Sequence, residues 1–369
     1  MNSPLSSLLS LPVDLPVLAA PMAGGPSTAA LVTAAARAGS LGFLAAGYKT
    51  PDQLAGQIAE VRGQTETGAG AGAGAGARAG AGTGVFGVNL FVPNPVPADP
   101  AAFARYADAL QAEADRYQVR LDGRALDLRA LAADDDAWPD KVDLLLADPV
   151  PVVSFTFGLP APSVFQAFRR AGTLTVQTVT SAGEARQAAE AGADLLAVQA
   201  SAAGGHSGTW TPDRIPAPIP LPELLAAVRS ATSLPVVAAG GLSTPDEVAA
   251  VLRAGAVAAM AGTALLRSDE SGASAVHRAA LADPARGEPV VTRAFTGRPA
   301  RSLPNTFTEK YGPIAPAGYP ALHYLTSPLR QAATAAGDPE LVNLWAGTGY
   351  RNATTGPVAT ILADLARAS

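Results

Sequence analysis

The strongest constraint on the fold is a series of short apolar runs, each followed by a turn and then a helical pattern. The eight runs are residues 17–21, 41–47, 87–92, 152–157, 173–179, 195–200, 235–241 and 258–263. Runs without a polar face are typical of parallel strands that helices cover on both sides. This alternation also suits an open doubly wound sheet, but eight is the number of units that closes a (β/α)8 barrel. We therefore predict an α/β fold in which about residues 15–285 form a TIM barrel.

The composition agrees with buried strands and excludes several classes of protein. Charged residues make up 15% of the chain and hydrophobic residues 48%, which excludes a disordered chain. The net charge is −5, and without a basic cluster neither nucleic acid nor an anionic membrane is an expected partner. The chain has no cysteine, so thiolate metal sites and cysteine nucleophiles are excluded and no metal is expected. Because no apolar run reaches about 18 residues and no Lys/Arg-led leader is present, the expected location is the cytoplasm.

Three segments interrupt the alternation. Residues 67–84 are a nearly perfect Gly-Ala repeat, interpreted as a flexible insertion in a loop between a helix and a strand. Residues 98–146 are predicted to be a helical elaboration, with one helix over 101–117. Residues 288–369 form a proline-punctuated tail that is too short for a core of its own, so we expect it to cover the barrel. The predicted organisation is a barrel over 1–287 followed by this tail.

Glycines at the ends of the last two predicted strands indicate an anion site. The seventh run ends in Gly240 and Gly241, and the eighth ends in Gly262 and Thr263. Barrels commonly bind phosphate after strands seven and eight, at a helix N-terminus. Glycine lets backbone N–H groups approach the anion closely, and the hydroxyl of Thr263 can add to them. These loops are therefore predicted to hold a phosphate group.

The segment after the sixth run supplies the candidate catalytic side chain. Residues 204–208 read Gly-Gly-His-Ser-Gly, so two glycines place His206 on a loop at the end of a strand. Imidazole titrates near neutral pH, which suits a role in proton transfer. Of the other two histidines, His277 lies in a charged helical pattern and is predicted to be a surface residue. His323 lies in the tail, where either packing or a place in the site fits the sequence.

Taken together, these motifs resemble the nitronate monooxygenase family, formerly called 2-nitropropane dioxygenases, whose members are FMN-dependent barrels. The resemblance runs nearly from end to end. The matching segments are AAPMAGGPS at 19–27, GVNLFVP at 87–93, VSFTFGLP at 153–160, GGHSG at 204–208, AAGGL at 238–242, MAGTALL at 260–266, TGRPAR at 296–301, YPALHYLTSPLR at 319–330 and LWAGTGY at 344–350. The most specific of these matches are residues 19–27, called here the first-strand motif, and residues 204–208, called here the GGH segment.

The resemblance implies a set of residues that contact FMN, together with His206 as the base or as the ligand of the nitro group. The implied neighbours of the flavin ring are Pro21 and Met22, and the implied hydrogen-bond partners of the ring or ribityl chain are Asn89 and Gln199. The residues implied to bind the ribityl phosphate are Gly204, Gly241, Met260, Ala261, Gly262 and Thr263.

One departure from the family pattern concerns Thr156. Some members carry a histidine at this position, so the resemblance does not imply a second imidazole in the site. The tail residues Lys310, Tyr311, Tyr319 and Tyr324 fit either closure of the pocket over a small substrate or ordinary packing.

The implied reaction is the oxidation of an alkyl nitronate by O₂ to a carbonyl compound and nitrite, with the flavin carrying the redox step. A nitroalkane substrate would also need its α-proton removed, and His206 is the candidate base. Two alternatives stay open: an NADH-dependent flavin enoyl-acyl-carrier-protein or quinone reductase, and a flavin-binding barrel without catalysis. Both a monomer and a homodimer fit the sequence.

Overall fold

A closed eight-stranded parallel barrel forms the body of the molecule, in a computed structural model that describes residues 11–70, 85–121 and 126–369. The barrel strands are β1 (Val17–Ala19), β2 (Gly42–Ala45), β3 (Phe86–Phe91), β4 (Val152–Thr156), β5 (Leu174–Val179), β6 (Leu195–Gln199), β8 (Val236–Ala239) and β9 (Ala258–Ala261). Their order around the barrel is the order of the chain, and β9 closes the ring by pairing with β1. The predicted (β/α)8 barrel is confirmed, with one strand at each predicted run; only β3 starts outside its run, one residue early at Phe86.

Helices alternate with these strands, and most of them cover the outside of the barrel. The covering helices are α1 (Ala29–Arg37), α2 (Pro51–Gly70), α6 (Pro162–Arg170), α7 (Ala182–Ala191), α8 (Leu221–Ala231) and α9 (Pro245–Arg253), whereas α10 (Ala275–Ala282) follows β9 but packs against the tail. Several begin at a side-chain cap: Thr28 accepts from the N–H of Leu31, and Thr244 forms a capping box with Glu247. Such caps satisfy backbone donors that have no partner inside the helix. Among the described residues, no helix is both long and apolar enough to cross a membrane.

Alternate strand residues divide the apolar core into two layers. Leu18, Phe43 and Val176 belong to the cluster that fills the barrel interior, whereas Val88 and Leu90 pack outward against the helices. Strand β3 contributes Gly87 to the interior, where an added Cβ would lie 2.4 Å from the ring of Phe43. The side-chain period of two along a strand therefore determines which strand-end residues face the inside of the barrel.

The interruptions adopt partly different structures from those predicted. Helix α2 continues to Gly70, four residues into the Gly-Ala repeat, and the flexible insertion predicted for the rest of that repeat lies outside the described residues. The elaboration contains α3 (Pro100–Arg116), α4 (Leu128–Ala132) and α5 (Trp138–Ala147). After the eighth barrel strand, β9, the chain forms a 3₁₀ turn, Thr263–Leu265.

The tail packs against the insertion as well as the barrel. It contains β10 (Val290–Thr292), β11 (Ala300–Ser302), α11 (Thr306–Tyr311), α12 (Ala321–Ala335) and α13 (Val358–Leu365). Its apolar residues share one buried cluster with Phe103 and Tyr106 of α3 and with Leu281 of α10. Helix α13 packs instead in the outer layer of the barrel. The tail therefore has a core, but one that it builds jointly with the insertion.

Candidate active site

The GGH segment is a short strand, not the loop that the sequence predicts. Gly205 and His206 form β7, which pairs antiparallel with β11 of the tail, and β11 pairs with β10. Ala300 lies opposite His206 in this small sheet. The tail thus fixes the backbone of the candidate catalytic histidine above the carboxyl ends of the barrel strands.

A layer of hydrogen-bonding side chains lies at the carboxyl ends of β3, β4 and β5, facing the inside of the barrel. The Asn89 Nδ2 donates to the hydroxyls of Ser154 (2.9 Å) and Thr156 (3.0 Å). The hydroxyl of Thr156 lies 3.1 Å from that of Thr178. Neutral donors and acceptors at the open end of an apolar barrel can bind the polar edge of a ring ligand.

The amide of Gln199 holds the GGH segment in place. Its Oε1 accepts from the N–H of Gly208 at 2.7 Å, and its Nε2 donates to the carbonyl of His206 at 3.3 Å. An amide has two donor protons and two acceptor lone pairs, so Gln199 keeps capacity for a ligand besides these bonds.

Glycines from separate loops meet at the ends of β8 and β9. An added Cβ on Gly204 would lie 2.5 Å from the nitrogen of Gly347, whose N–H donates to the hydroxyl of Thr263 at 3.0 Å. Gly241 has a φ of +79° and lies beside Thr348. Close approach of these backbones is possible because none of the three glycines has a side chain.

The N–H groups of this cluster can receive an anion. Within the described part of the chain, the N–H groups of Gly240, Gly241 and Gly262 have no protein acceptor. An added Cβ on Gly262 would enter the space between Ala20 (3.5 Å) and the sulfur of Met22 (3.8 Å). The first-strand motif therefore adjoins the glycine loops, as the implied flavin contacts require.

Two of the implied cofactor contacts lie next to each other on β9 with their buried side chains on opposite faces of the strand. Met260 belongs to the barrel interior, and Ala261 faces the outer helices. The carbonyl of Ala261 accepts from the N–H of Ala20 at 2.9 Å. Pro21 follows β1 directly and keeps part of its surface exposed.

His206 lies among aromatic rings and keeps part of its surface accessible. The ring centroids of Trp345, Phe157 and Tyr319 lie 5.4, 5.7 and 6.0 Å from that of the imidazole. Its Nε2 is 2.8 Å from the hydroxyl of Thr296. Burial, and then the charges of Arg298 and Arg330, lower the pKa of His206 to about 3. The imidazole is therefore neutral throughout the physiological range of pH.

An aromatic cleft opens beside His206. It has an open volume of about 400 Å³, part of it continuous with solvent, and is walled by Tyr48, Phe91, Phe157, Tyr319 and Tyr324, with Asp134–Asp136 at its edge. Tyr48 and Phe157 have φ values of +66° and +83°. Such conformations are costly for residues other than glycine, and they cluster at functional sites.

The tail residues named from the sequence divide between two places. Tyr319 donates to the hydroxyl of Tyr48 at 3.3 Å, and Tyr324 donates to Asp134 at 2.6 Å, so both form the cleft wall. Lys310 and Tyr311 instead contact Glu113 on α3. Only the first two can close over a substrate in this cleft.

The prediction for His277 is wrong. Its side chain is buried, and its Nε2 donates to the carbonyl of Trp345 at 2.9 Å. Helix α10 presents this face to the tail, which lies 68 residues further along the chain. His323 enters the site, where its ring stacks on Tyr48 with centroids 4.2 Å apart.

Several site residues were missed from the sequence. Arg298 and Arg330 lie within the TGRPAR and SPLR motifs, and Tyr48 follows the second strand. The glycines and aromatic residues of these motifs identified the segments as part of the site. Nothing in the neighbouring sequence indicated that the guanidinium groups of Arg298 and Arg330 lie close to His206.

Because burial keeps all three histidines neutral, we expect acid to begin to destabilise the fold at pH values above the range where carboxylates titrate. The pKa of His277 is lowered to about 4 and that of His323 lies well below its ordinary value. In the unfolded chain each takes up a proton near pH 6.5, so stability is full above about pH 7 and declines below it. Each histidine contributes up to about 1.4 kcal/mol per pH unit.

Urea unfolding at about pH 7 and about pH 5.5 measures this decline. His277→Gln is the control, since it removes one of the three titrating groups and should flatten the pH dependence by up to a third. Equal unfolding free energies at both pH values would contradict the buried neutral state of the histidines.

Comparison with known proteins gives a consistent result. A sequence model of the nitronate monooxygenase family matches residues 6–73 and 78–368. A probable nitronate monooxygenase of Staphylococcus aureus is 32% identical over 368 residues, covering 98% of this chain and 95% of that protein. The structure of nitroalkane oxidase from Streptomyces ansochromogenes matches with a TM-score of 0.85 and 45% identity, over 99% of this chain and 97% of that one. FabK from Thermotoga maritima matches with a TM-score of 0.73 at 24% identity, over 100% and 96% of the two chains, which is a likeness of fold.

Proposed function

The chain belongs to the nitronate monooxygenase family, and from that premise we propose that it uses FMN and O₂ to oxidise alkyl nitronates to a carbonyl compound and nitrite. Membership makes it a flavin-dependent oxidoreductase that acts on nitronates or nitroalkanes. The choice of FMN, the products and the role of each residue are the content of the proposal.

The glycine loops support FMN as the flavin. One phosphate fits the N–H groups of Gly241 and Gly262, which have no protein acceptor in the described chain, with the hydroxyl of Thr263 beside them. A helix or turn N-terminus and glycine backbone are favourable surroundings for such an anion. Asn89 and Gln199 would bind the polar parts of the ring and ribityl chain, next to Pro21 and Met22. Bound there, FMN would supply the redox chemistry.

The observation that carries the proposal is the position of His206 between the glycine loops and the aromatic cleft. Gly205 precedes it on the cofactor side, where an added Cβ would lie 3.9 Å from Trp345. On the other side, the rings of Phe157 and Tyr319 contact the imidazole of His206 and also form part of the cleft wall. Because Phe157 and Tyr319 contact the imidazole and also wall the cleft, we expect a small molecule bound in the cleft to lie next to His206.

In the proposed mechanism His206 has two roles. It accepts the α-proton of a neutral nitroalkane, and with a preformed nitronate it holds an oxygen of the nitro group. Thr296 fixes the position of the ring through Nε2, which leaves Nδ1 for the substrate. The aromatic walls exclude water, and electrostatic interactions with the developing anion are stronger in such a site.

Anaerobic mixing tests the proposal. The purified protein should be yellow, should release FMN on denaturation, and should lose its flavin absorbance when mixed with an alkyl nitronate but keep it with NADH. Bleaching by NADH alone would instead identify a reductase that uses nicotinamide. A protein that neither contains nor takes up flavin would be a barrel without this catalysis.

A further inference from the structure

Arg298 is a fully buried cation that forms no ion pair with a carboxylate among the described residues; Glu184 acts on it only at longer range. Arg298 is 0% exposed, and its hydrogen bonds go to backbone carbonyls. Its Nη2 donates to Thr209 and, at 3.4 Å, to Phe157, while its Nε donates to Ser207 at 3.4 Å. The remaining nitrogen, Nη1, is buried and has no partner in the described chain. A buried charge is costly unless it is paired, so this arrangement lacks an anion.

The guanidinium lies against the walls of the aromatic cleft. Its carbon is 3.9 Å from the ring centroid of Phe157 and 5.8 Å from that of Tyr319. The ring of Phe157 also lies 5.7 Å from the imidazole of His206, and the backbone N–H of Arg298 and the Nε2 of His206 both contact the hydroxyl of Thr296. The guanidinium group and the imidazole therefore both lie beside Phe157 at the wall of the cleft.

A neighbouring arginine provides the contrast. Arg330 also influences the imidazole, but each of its nitrogens has an acceptor: Thr326 for Nε, Asn343 for Nη1 and the carbonyl of His323 for Nη2. Its role is to hold α12 and His323 in place. Only Arg298, of the two, keeps an unused donor for a ligand.

We propose that Arg298 binds substrate, with its free Nη1 donating to an oxygen of the nitronate while His206 contacts the same group. This rests on the proposed function for the identity of the ligand, although the site would accept any small planar oxyanion. Guanidinium groups suit such anions because their donors are planar and permanently charged. The residue thereby favours the anionic nitronate over the neutral nitroalkane.

Nitrite is the probe, since its binding requires no turnover. Isothermal titration of the flavin-loaded protein should show that Arg298→Gln weakens nitrite binding by roughly 10- to 150-fold, the range for hydrogen bonds to charged groups. Arg298→Lys, which keeps the charge, should recover part of the loss. Affinity for neutral nitroethane should fall less, by roughly 2- to 13-fold, because the nitro group carries no net charge to attract the guanidinium.

Arg293→Gln is the matched control. Arg293 likewise joins the tail to the segment after β7, donating to the carbonyls of Pro212 and Asp213, but it does not line the cleft. This variant should bind nitrite as the wild type does. Equal nitrite affinity in wild type and Arg298→Gln would overturn the proposal.

A measurement on the wild type covers the case in which the variants do not fold. Nitrite held between Arg298 and His206 changes the surroundings of the neutral imidazole, so at neutral pH it should shift the ¹⁵N resonances of the His206 ring, followed by NMR. No change on saturation with nitrite would also overturn the proposal. If nitronate oxidation fails while Arg298-dependent nitrite binding persists, the proposed function is wrong and the anion site stands.

Discussion

His206→Asn should lower kcat/KM for a neutral nitroalkane by about 10²- to 10⁴-fold, the usual contribution of a general base, and change kcat/KM for a preformed nitronate by less than about tenfold. Asparagine has the size and a hydrogen-bonding group to contact Thr296, which lies 2.8 Å from the imidazole, but it cannot accept a proton at neutral pH. Steady-state oxygen consumption with each substrate measures the two effects.

The difference between the substrates follows from the charges around the imidazole. With the site empty, burial and two guanidinium groups hold the pKa of His206 at about 3, so the ring alone is a weak base. As the α-proton leaves, negative charge develops on the nitro group and offsets the neighbouring cations. Proton transfer is therefore coupled to anion formation, a step that a preformed nitronate does not need.

Thr296→Val is the control for this variant. It removes the hydrogen bond that orients the ring but leaves the imidazole, so both substrates should lose activity to a similar and smaller extent. An equal loss on nitroalkane and nitronate in His206→Asn would refute the assignment of His206 as the base.

Gly262→Val should weaken flavin binding by roughly 5- to 150-fold, the equivalent of the usual cost of overpacking. The side chain would project between Ala20 and Met22, where we propose that the flavin binds. Fluorescence titration of the flavin-free protein with FMN measures the change.

The folded protein has room for a Cβ atom at position 262. An added Cβ on Gly262 would be in ordinary van der Waals contact, with its nearest neighbour at 3.5 Å, so Gly262→Ala should fold as the wild type and show a smaller loss of FMN affinity. Gly56→Ala on α2 has no atom within 4 Å of the new carbon and serves as the matched control. Unchanged FMN affinity in Gly262→Val would place the flavin elsewhere.

The barrel was predictable because both faces of its strands are buried. Runs such as residues 195–200 and 235–241 are apolar on both faces except for Gln199 at a strand end, and each contains one barrel strand. The position of His206 was predictable too, because the adjacent glycines mark a strand end. That this segment would itself form β7 was not predictable, since its partner strand lies 94 residues away in the tail.

Local sequence also misplaced or missed the residues whose surroundings come from distant segments. The helix that carries His277 has charged neighbours, yet the carbonyl of Trp345 covers the imidazole. Arg298 makes its contacts with residues 89 to 141 positions away. A guanidinium among polar and small residues gives no local sign that it is buried.

The pairing of β7 with β11 also sets an order of events as the chain is synthesised. The ring of barrel strands is complete once β9 has emerged at Ala261, but the residues that fix His206 emerge later, at Thr296 and Ala300. Gly347, which adjoins Thr263 and Gly204, emerges later still. At about 5–20 residues per second, a closed barrel precedes a competent active site by several seconds. A nascent chain that stops short of these residues would contain the scaffold without the chemistry.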